Sequence, residues 1–223
     1  APALGATALR AAIASAGADP ATIDEVVMGC VLPAGQGQAP ARQAAIAAGV
    51  PISVPATTVN KMCGSGMKAV MLAADQIAAG GASLVLAGGM ESMTCAPYLL
   101  LKARAGYRMG HGEVIDHMFY DGLQSPWDGK LMGCFADATA AKYGFTRADQ
   151  DAFAAESVRR ALAAVGSKAF ETEIAPVTVA DRKGERIVAQ DETPFSVSIE
   201  KIPSLKPAFA KDGTVTAASS SSI

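Results

Sequence analysis

Histidine is scarce in this chain. His111 and His117 are its only two, too few for a histidine-rich metal site. The four cysteines, Cys30, Cys63, Cys95 and Cys134, are widely scattered and form no C-x-x-C pair. That spacing speaks against a zinc site or a disulfide framework and for reduced thiols. No lysine- or arginine-rich run occurs and the formal net charge is −2, which does not suit an electrostatic nucleic-acid binder or a polyphosphate groove. No apolar stretch reaches the roughly 18 residues of a transmembrane helix. The opening "APALGATALRAAIASAGADP" lacks the basic flank and cleavage pattern of a signal peptide. The expectation is a cytoplasmic protein with no metal, no nucleic-acid partner and no membrane partner. Hydrophobic side chains, by contrast, make up 50% of the 223 residues, enough to bury one large core or two smaller ones.

Short apolar strands alternate with alanine-rich helices. Leu4 to Ala16 carries Leu9, Ala12, Ile13 and Ala16 on one stripe and reads as a helix ending at Gly17. After a turn over Pro20 to Glu25, "VVMGCVL" (Val26 to Leu32) reads as a buried strand, and Ala41 to Ala48 as a second alanine helix. "ATTVN" is a short strand feeding a helix over Cys63 to Ala79, whose many alanines predict burial nearly all round. "SLVLAGG" (Ser83 to Gly89) follows as a continuous apolar strand. This alternation predicts βαβ units around a parallel sheet. Beyond Met93 the chain turns to glycine-punctuated loops, then a helix from Thr146, with Asp149 three residues on, to about Ala164. Short strands are expected over Ile174–Val179 and Arg186–Val188, and a return strand over Gly213 to Ala218. The expected segments are a core over 1–92, an inserted subdomain over 93–213 and a return to the core over 214–223. The closing "SSSS" could be a flexible tail, but the apolar strand ahead of it reads as a chain interrupted inside a core.

"NKMCGSGMKA" places Cys63 where strand gives way to helix. The unpaired N–H groups of a helix's first turn favour a thiolate. Gly64 and Gly66 remove side chains that would obstruct a substrate and allow N–H groups to face an oxyanion. These features describe an acyl-accepting cysteine; the alternative is a buried structural thiol, the reading preferred for Cys30 and Cys95. A nucleophilic cysteine needs a base, and only His111 or His117 could fold over Cys63, although surface or subunit-contact histidines are the commoner case. The "GQGQ" and "GG" stretches lack the spacing of dinucleotide and phosphate loops and read as tight turns. Glu91, in "GGMESM", follows a buried strand and is read as a structural carboxylate bonded to backbone.

Taken together, "DEVVMGCVLPAGQGQAPARQAA", "VNKMCGSGMKAV", "LVLAGGMESM", "DGLQSPWDGKLMG" and "LKPAFAKDGTVTAASSSSI" closely resemble the thiolase family, the acetyl-CoA C-acyltransferases. The resemblance implies a layered α/β fold with a mixed, largely parallel sheet, a buried nucleophile helix and an inserted α+β loop domain that holds coenzyme A. It makes Cys63 the acyl-carrying nucleophile. Leu123, Met132 and Phe209 match positions lining the pantetheine and acyl slot, and Ala217 and Ser221 match a return segment touching the pantetheine arm. No permanently bound cofactor is implied; coenzyme A and acetyl-CoA are substrates, and the partner is a second or further copies in a homodimer or homotetramer.

The departures are specific. Thiolases usually begin with a strand and an "RTP" turn, and their second half carries an "NEAFA" segment, a "GHP" histidine and a "CxGGG" cysteine, none of which occurs here. That half is expected as a further segment or chain. Leu131 stands where some members carry histidine, Phe195 near a frequent arginine, and Ser219 at a usual asparagine. Two rivals remain at this point. One is a 3-oxoacyl synthase of similar fold, against which "GGMESM" and "GTVTA" speak; the other is a thiolase-like subunit that binds acyl-CoA or serves assembly without chemistry.

Overall fold

The computed structural model describes residues 1–182 and 184–222; Lys183, in the expected insert, and Ile223, ending the expected return segment, lie outside the described residues. The chain packs as two units, Ala1–Gly122 and Leu123–Ile223. Residues 93–122 are compact with the first unit and residues 214–222 with the second. Among the described residues no helix is long and apolar enough to cross a membrane.

Along the first unit run α1 (Pro2–Ala16), β1 (Glu25–Gly29), α2 (Pro40–Ala47), β2 (Ala56–Val59), α3 (Ser65–Ala78) and β3 (Val85–Gly89), then the short antiparallel pair β4 (Tyr98–Leu99) and β5 (Ile115–Asp116). Gly17 ends α1 in the left-handed conformation at φ 59°, where the absent Cβ removes the steric cost. The three longer strands form a parallel sheet in the order β2–β1–β3. Gly29 stands level with Val59 on one side and Gly89 on the other, so the strands end together.

Val26, Met28 and Cys30 join Leu9, Ile13, Ala44 and Ala45 in one core cluster. A side chain at Gly29 would instead meet Ser65 and Gly66 at the head of α3. Since alternate strand residues face opposite ways, α1 and α2 cover one face of the sheet and α3 the other. β1 is thus buried on both faces, which is why its sequence is continuously apolar from Val26 on.

Two expectations for this unit change. β1 stops at Gly29 rather than running to Leu32, because the N–H groups of Val31 and Leu32 donate to the Glu91 carboxylate instead of to a neighbouring strand. Helix α3 is buried on one face and not all round. Ser65, Ala69 and Ala73 lie against the sheet, while Met67 is 73% and Val70 54% exposed. The alanine content permits close approach on every side, but in this unit a neighbour occupies only one of them.

The second unit contains α4 (Met132–Tyr143), α5 (Arg147–Gly166), the antiparallel hairpin β6 (Val177–Asp181) and β7 (Gly184–Val188), and the single turn α6 (Thr193–Ser196). Thr146 and Asp149 cap α5 reciprocally, side chain to backbone in both directions, as their spacing predicts. These bonds hold the Asp149 carboxyl below its ordinary value, the Thr146 side chain first. Arg147 then ties the start of α5 to the carbonyls of Ile202 and Leu205 and to Asp151. A small core of Ala154, Ala155 and Ile202 takes in Val197, Ile199 and Ala218.

The return strand expected over 213–218 is not a strand. Its backbone donors go to side chains: Thr214 and Val215 to Asp137 on α4, Thr216 to the Ser219 hydroxyl. With those N–H groups engaged, the segment has no free donor edge for ladder pairing at these positions.

Candidate active site

The cysteine-bearing turn is built where the parallel strands end. β2 finishes at Val59, and α3 begins at Ser65 with Gly64 as its N-cap. Between them Met62 adopts φ 50°, uncommon for a residue with a side chain. Two side chains hold it there. Its N–H donates to Asn60 Oδ1 at 2.9 Å, and its carbonyl accepts from Ser65 Oγ at 2.6 Å. Ser65 Oγ, itself buried, also accepts from the Lys61 N–H at 2.9 Å. Asn60 reaches on to the Val31 carbonyl at 3.4 Å, linking the turn to the end of β1.

Three glycines set how closely α3 approaches the sheet. A Cβ on Gly29 would lie 2.6 Å from the Gly66 nitrogen, and one on Gly89 would lie 3.0 Å from Gly66 Cα. The helix head therefore rests on strand backbone, backbone against backbone. Cys63 precedes the N-cap and its side chain is exposed on this unit. Of the turn's N–H groups, those of Gly64 and Ser65 are taken by the carbonyls of Lys61 and Met62, so neither is a ready oxyanion donor.

Glu91 behaves as the structural carboxylate its position suggests. Its oxygens accept from Val31 N at 2.7 Å and Leu32 N at 3.2 Å, and the Cys30 thiol lies 3.6 Å from Oε1. Burial, reinforced by this negative neighbour, pushes the Cys30 thiol above its ordinary value, so Cys30 stays protonated and unreactive. Glu91→Ala is expected to cost about 2–3 kcal/mol by leaving two N–H groups without a charged acceptor, read as a lower denaturant midpoint. Glu91→Gln, which keeps one acceptor oxygen, should lose much less.

Cys95 and His117 fall out differently from expectation. Cys95 is exposed on the turn that follows β3 and is not the buried thiol expected of it. His117 is neither bonded to Cys63 nor at the surface. It is buried, with Nδ1 2.6 Å from Asp121 Oδ2, and its buried Nε2 has no partner among the described residues. His111 borders a recess with Lys102, Tyr107 and Glu113. Among the described residues neither imidazole is bonded to Cys63 Sγ.

In the second unit the structure brings together some of the residues expected to hold coenzyme A. Met132 opens α4, and the next residue, Gly133, lies directly under the Phe209 ring. Ala217 and Ser221 line one cavity of about 510 Å³ with Ser157, Ala161 and Pro194. Leu123 is half-buried at the end of a π-helical turn over Met118–Leu123. Among the departures, Leu131 is the N-cap of α4, Phe195 is exposed and Ser219 accepts the Thr216 N–H.

Sequence reasoning did not find Gly29, the Asn60–Met62–Ser65 arrangement or Asp137. A lone glycine inside an apolar strand is the available signal for the first, since it marks close backbone approach. An asparagine two residues before the turn residue is the signal for the second. Asp137 bonds to residues far along the chain and leaves no local trace.

A family model described as the thiolase N-terminal domain matches residues 1–223. An acetyl-CoA acetyltransferase of Pseudomonas aeruginosa is 49% identical over 225 residues, covering 100% of this chain and 57% of the relative. An acetyl-CoA acetyltransferase of Cupriavidus necator is 48% identical, with 100% and 57% covered. A probable acetyl-CoA acyltransferase of Staphylococcus aureus is 47% identical, with 99% and 56% covered. The chain spans somewhat more than half the length of the curated relatives it matches.

Proposed function

Because the chain belongs to the thiolase family, over that family's N-terminal domain, we propose that it carries the nucleophile of an acyltransferase that forms or cleaves 3-oxoacyl-CoA, with Cys63 as the acyl carrier. The observation that carries the reading is Cys63 itself: an exposed thiol on a braced turn at the head of α3, with glycine on both sides of Ser65.

In this reading Cys63 Sγ attacks the thioester carbonyl of acetyl-CoA. The new carbon–sulfur bond replaces the one to coenzyme A, whose thiolate leaves and takes up the proton that Cys63 lost. A second acetyl-CoA, deprotonated at its α-carbon, attacks the acetyl thioester, releasing Cys63 as thiolate and acetoacetyl-CoA as product. The reverse direction is thiolysis. The oxyanion of each step needs donors other than the Gly64 and Ser65 N–H groups, which are internally engaged.

The reaction also needs a base at Sγ. Among the described residues neither His117 nor His111 is bonded to Cys63, so the reading draws the base and the second proton-carrying group from a C-terminal part of the kind the relatives' length allows. Residues 1–92 then form the nucleophile-bearing core, 93–213 the segment that holds coenzyme A, and 214–223 the return segment. Met132 and Phe209, with Leu123, line the pantetheine arm, and Ala217 and Ser221 touch it. No cofactor is held between turnovers, and the working form is a cytoplasmic homodimer or homotetramer.

One observation favours a second reading, an acyl-CoA-binding or assembly subunit without chemistry: among the described residues no imidazole is bonded to Cys63. Incubating the full-length protein with acetyl-CoA and mass-mapping its cysteine peptides separates the two. The expected result is an acetyl group on the Cys63 peptide and none on that of Cys95. Binding of acetyl-CoA with no adduct on Cys63 would leave only the second reading.

A further inference from the structure

Two contacts dock the loop over Phe209–Val215 onto one face of α4. At the first, the Phe209 ring lies on Gly133 so closely that a Cβ there would collide with it. At the second, four residues further along the helix and on the same face, Asp137 Oδ1 accepts two successive backbone N–H groups, Thr214 at 2.7 Å and Val215 at 2.9 Å. The loop is closed at its base by Ala208 N–H to the Val215 carbonyl at 2.9 Å, and at its tip by Gly213 N–H to the Ala210 carbonyl at 3.0 Å. Gln150 on α5 adds a bond to the Thr214 hydroxyl at 2.8 Å. Val215 and Thr216 are buried, so the end of the loop is anchored, and the Ala208–Val215 bond ties the Phe209 end to that anchor.

We propose that Asp137 is a positioning residue for the acyl-CoA slot: its carboxylate sets the loop's height on α4 and thereby the place of Phe209 relative to Met132. Two features single it out. A carboxylate taking paired N–H groups makes charge-assisted bonds, stronger than those of a neutral acceptor. Its other oxygen, Oδ2, is buried without a partner among the described residues, close against Gly213. A side chain serving only packing would not leave a carboxylate oxygen desolvated. Asp137 touches no reacting atom; it acts through Phe209, and the inference rests on the proposed placement of Met132 and Phe209 at the pantetheine arm.

The test is steady-state kinetics of the full-length protein carrying Asp137→Ala, Asp137→Asn or Gly213→Ala. Losing both charged bonds in Asp137→Ala is expected to raise KM for acyl-CoA about tenfold, with kcat much less affected, because uniform binding is lost. Asp137→Asn keeps an acceptor oxygen and should recover most of the wild-type KM. In Gly213→Ala the new Cβ would lie 2.8 Å from Asp137 Cγ, lifting the loop from the other side, so the same KM increase is expected even if the alanine variant at 137 does not fold. Wild-type turnover with an unchanged KM in a folded Asp137→Ala, or in Gly213→Ala, would overturn the inference alone. Wild-type protein that neither turns over nor binds acyl-CoA would overturn the functional reading, and this inference with it.

Discussion

In the full-length protein, Cys63→Ala is expected to lower acyl transfer by about 10⁴-fold or more, the scale seen when a covalent nucleophile is removed. Neither other cysteine of the first unit is expected to take its place. Cys30 is buried and held protonated by desolvation and by Glu91, and Cys95, although exposed, sits on a different turn after β3. Cys95→Ala is the matched control and should turn over at the wild-type rate. The measurement is kcat for acetoacetyl-CoA thiolysis alongside the peptide mass of the acyl adduct. Substantial turnover in Cys63→Ala would remove Cys63 from the mechanism, whatever the family.

Gly29→Ala should be the most damaging single-methyl change in the first unit. The added Cβ would lie 2.6 Å from the Gly66 nitrogen and 2.7 Å from Ser65 Cβ. The atoms in the way are helix backbone, which cannot swing aside as a side-chain tip can. Relief requires moving the head of α3, and with it the turn that presents Cys63. A stability loss of about 2–3 kcal/mol is expected, at the upper part of the range for overpacked cores, together with slower acylation of Cys63. Gly88→Ala is the informative comparison: its Cβ would meet only the Met28 thioether, at 3.6 Å from Sδ, an ordinary contact. Thermal melts of the two variants beside the wild type decide the point, and equal melting temperatures would mean α3 is not seated on Gly29.

Local pattern was sufficient wherever one element's own residues determine its form. The stripe of Leu9, Ile13 and Ala16 and the terminal Gly17 describe α1 because helix periodicity and the left-handed cap are encoded within a few residues. The Thr146–Asp149 spacing announced α5 for the same reason. The role of Glu91 was legible from its place just past a buried strand, where a carboxylate finds backbone N–H groups. Elsewhere the pattern misled. Residues 213–218 have the composition of a strand, yet Asp137, 77 positions away in sequence from Thr214, takes the backbone donors a strand would use. His117, expected at the surface or a subunit contact, is buried, and Asp121, four residues on across a π-turn, meets its Nδ1.

The sequence by itself determined the alternation of strands and helices, the position of Cys63 between β2 and α3, and the family. These depend on residue type and short-range spacing, which the chain displays directly. Tertiary structure alone decided that Gly29, Gly66 and Gly89 meet, that Asn60 and Ser65 grip Met62 on both sides, that one face of α3 is covered and the other open, and that Asp137 holds the loop carrying Phe209. The physical reason is common to all four. Each depends on atoms brought together by packing or by a turn's three-dimensional course, and a contact of that kind has no periodicity to read.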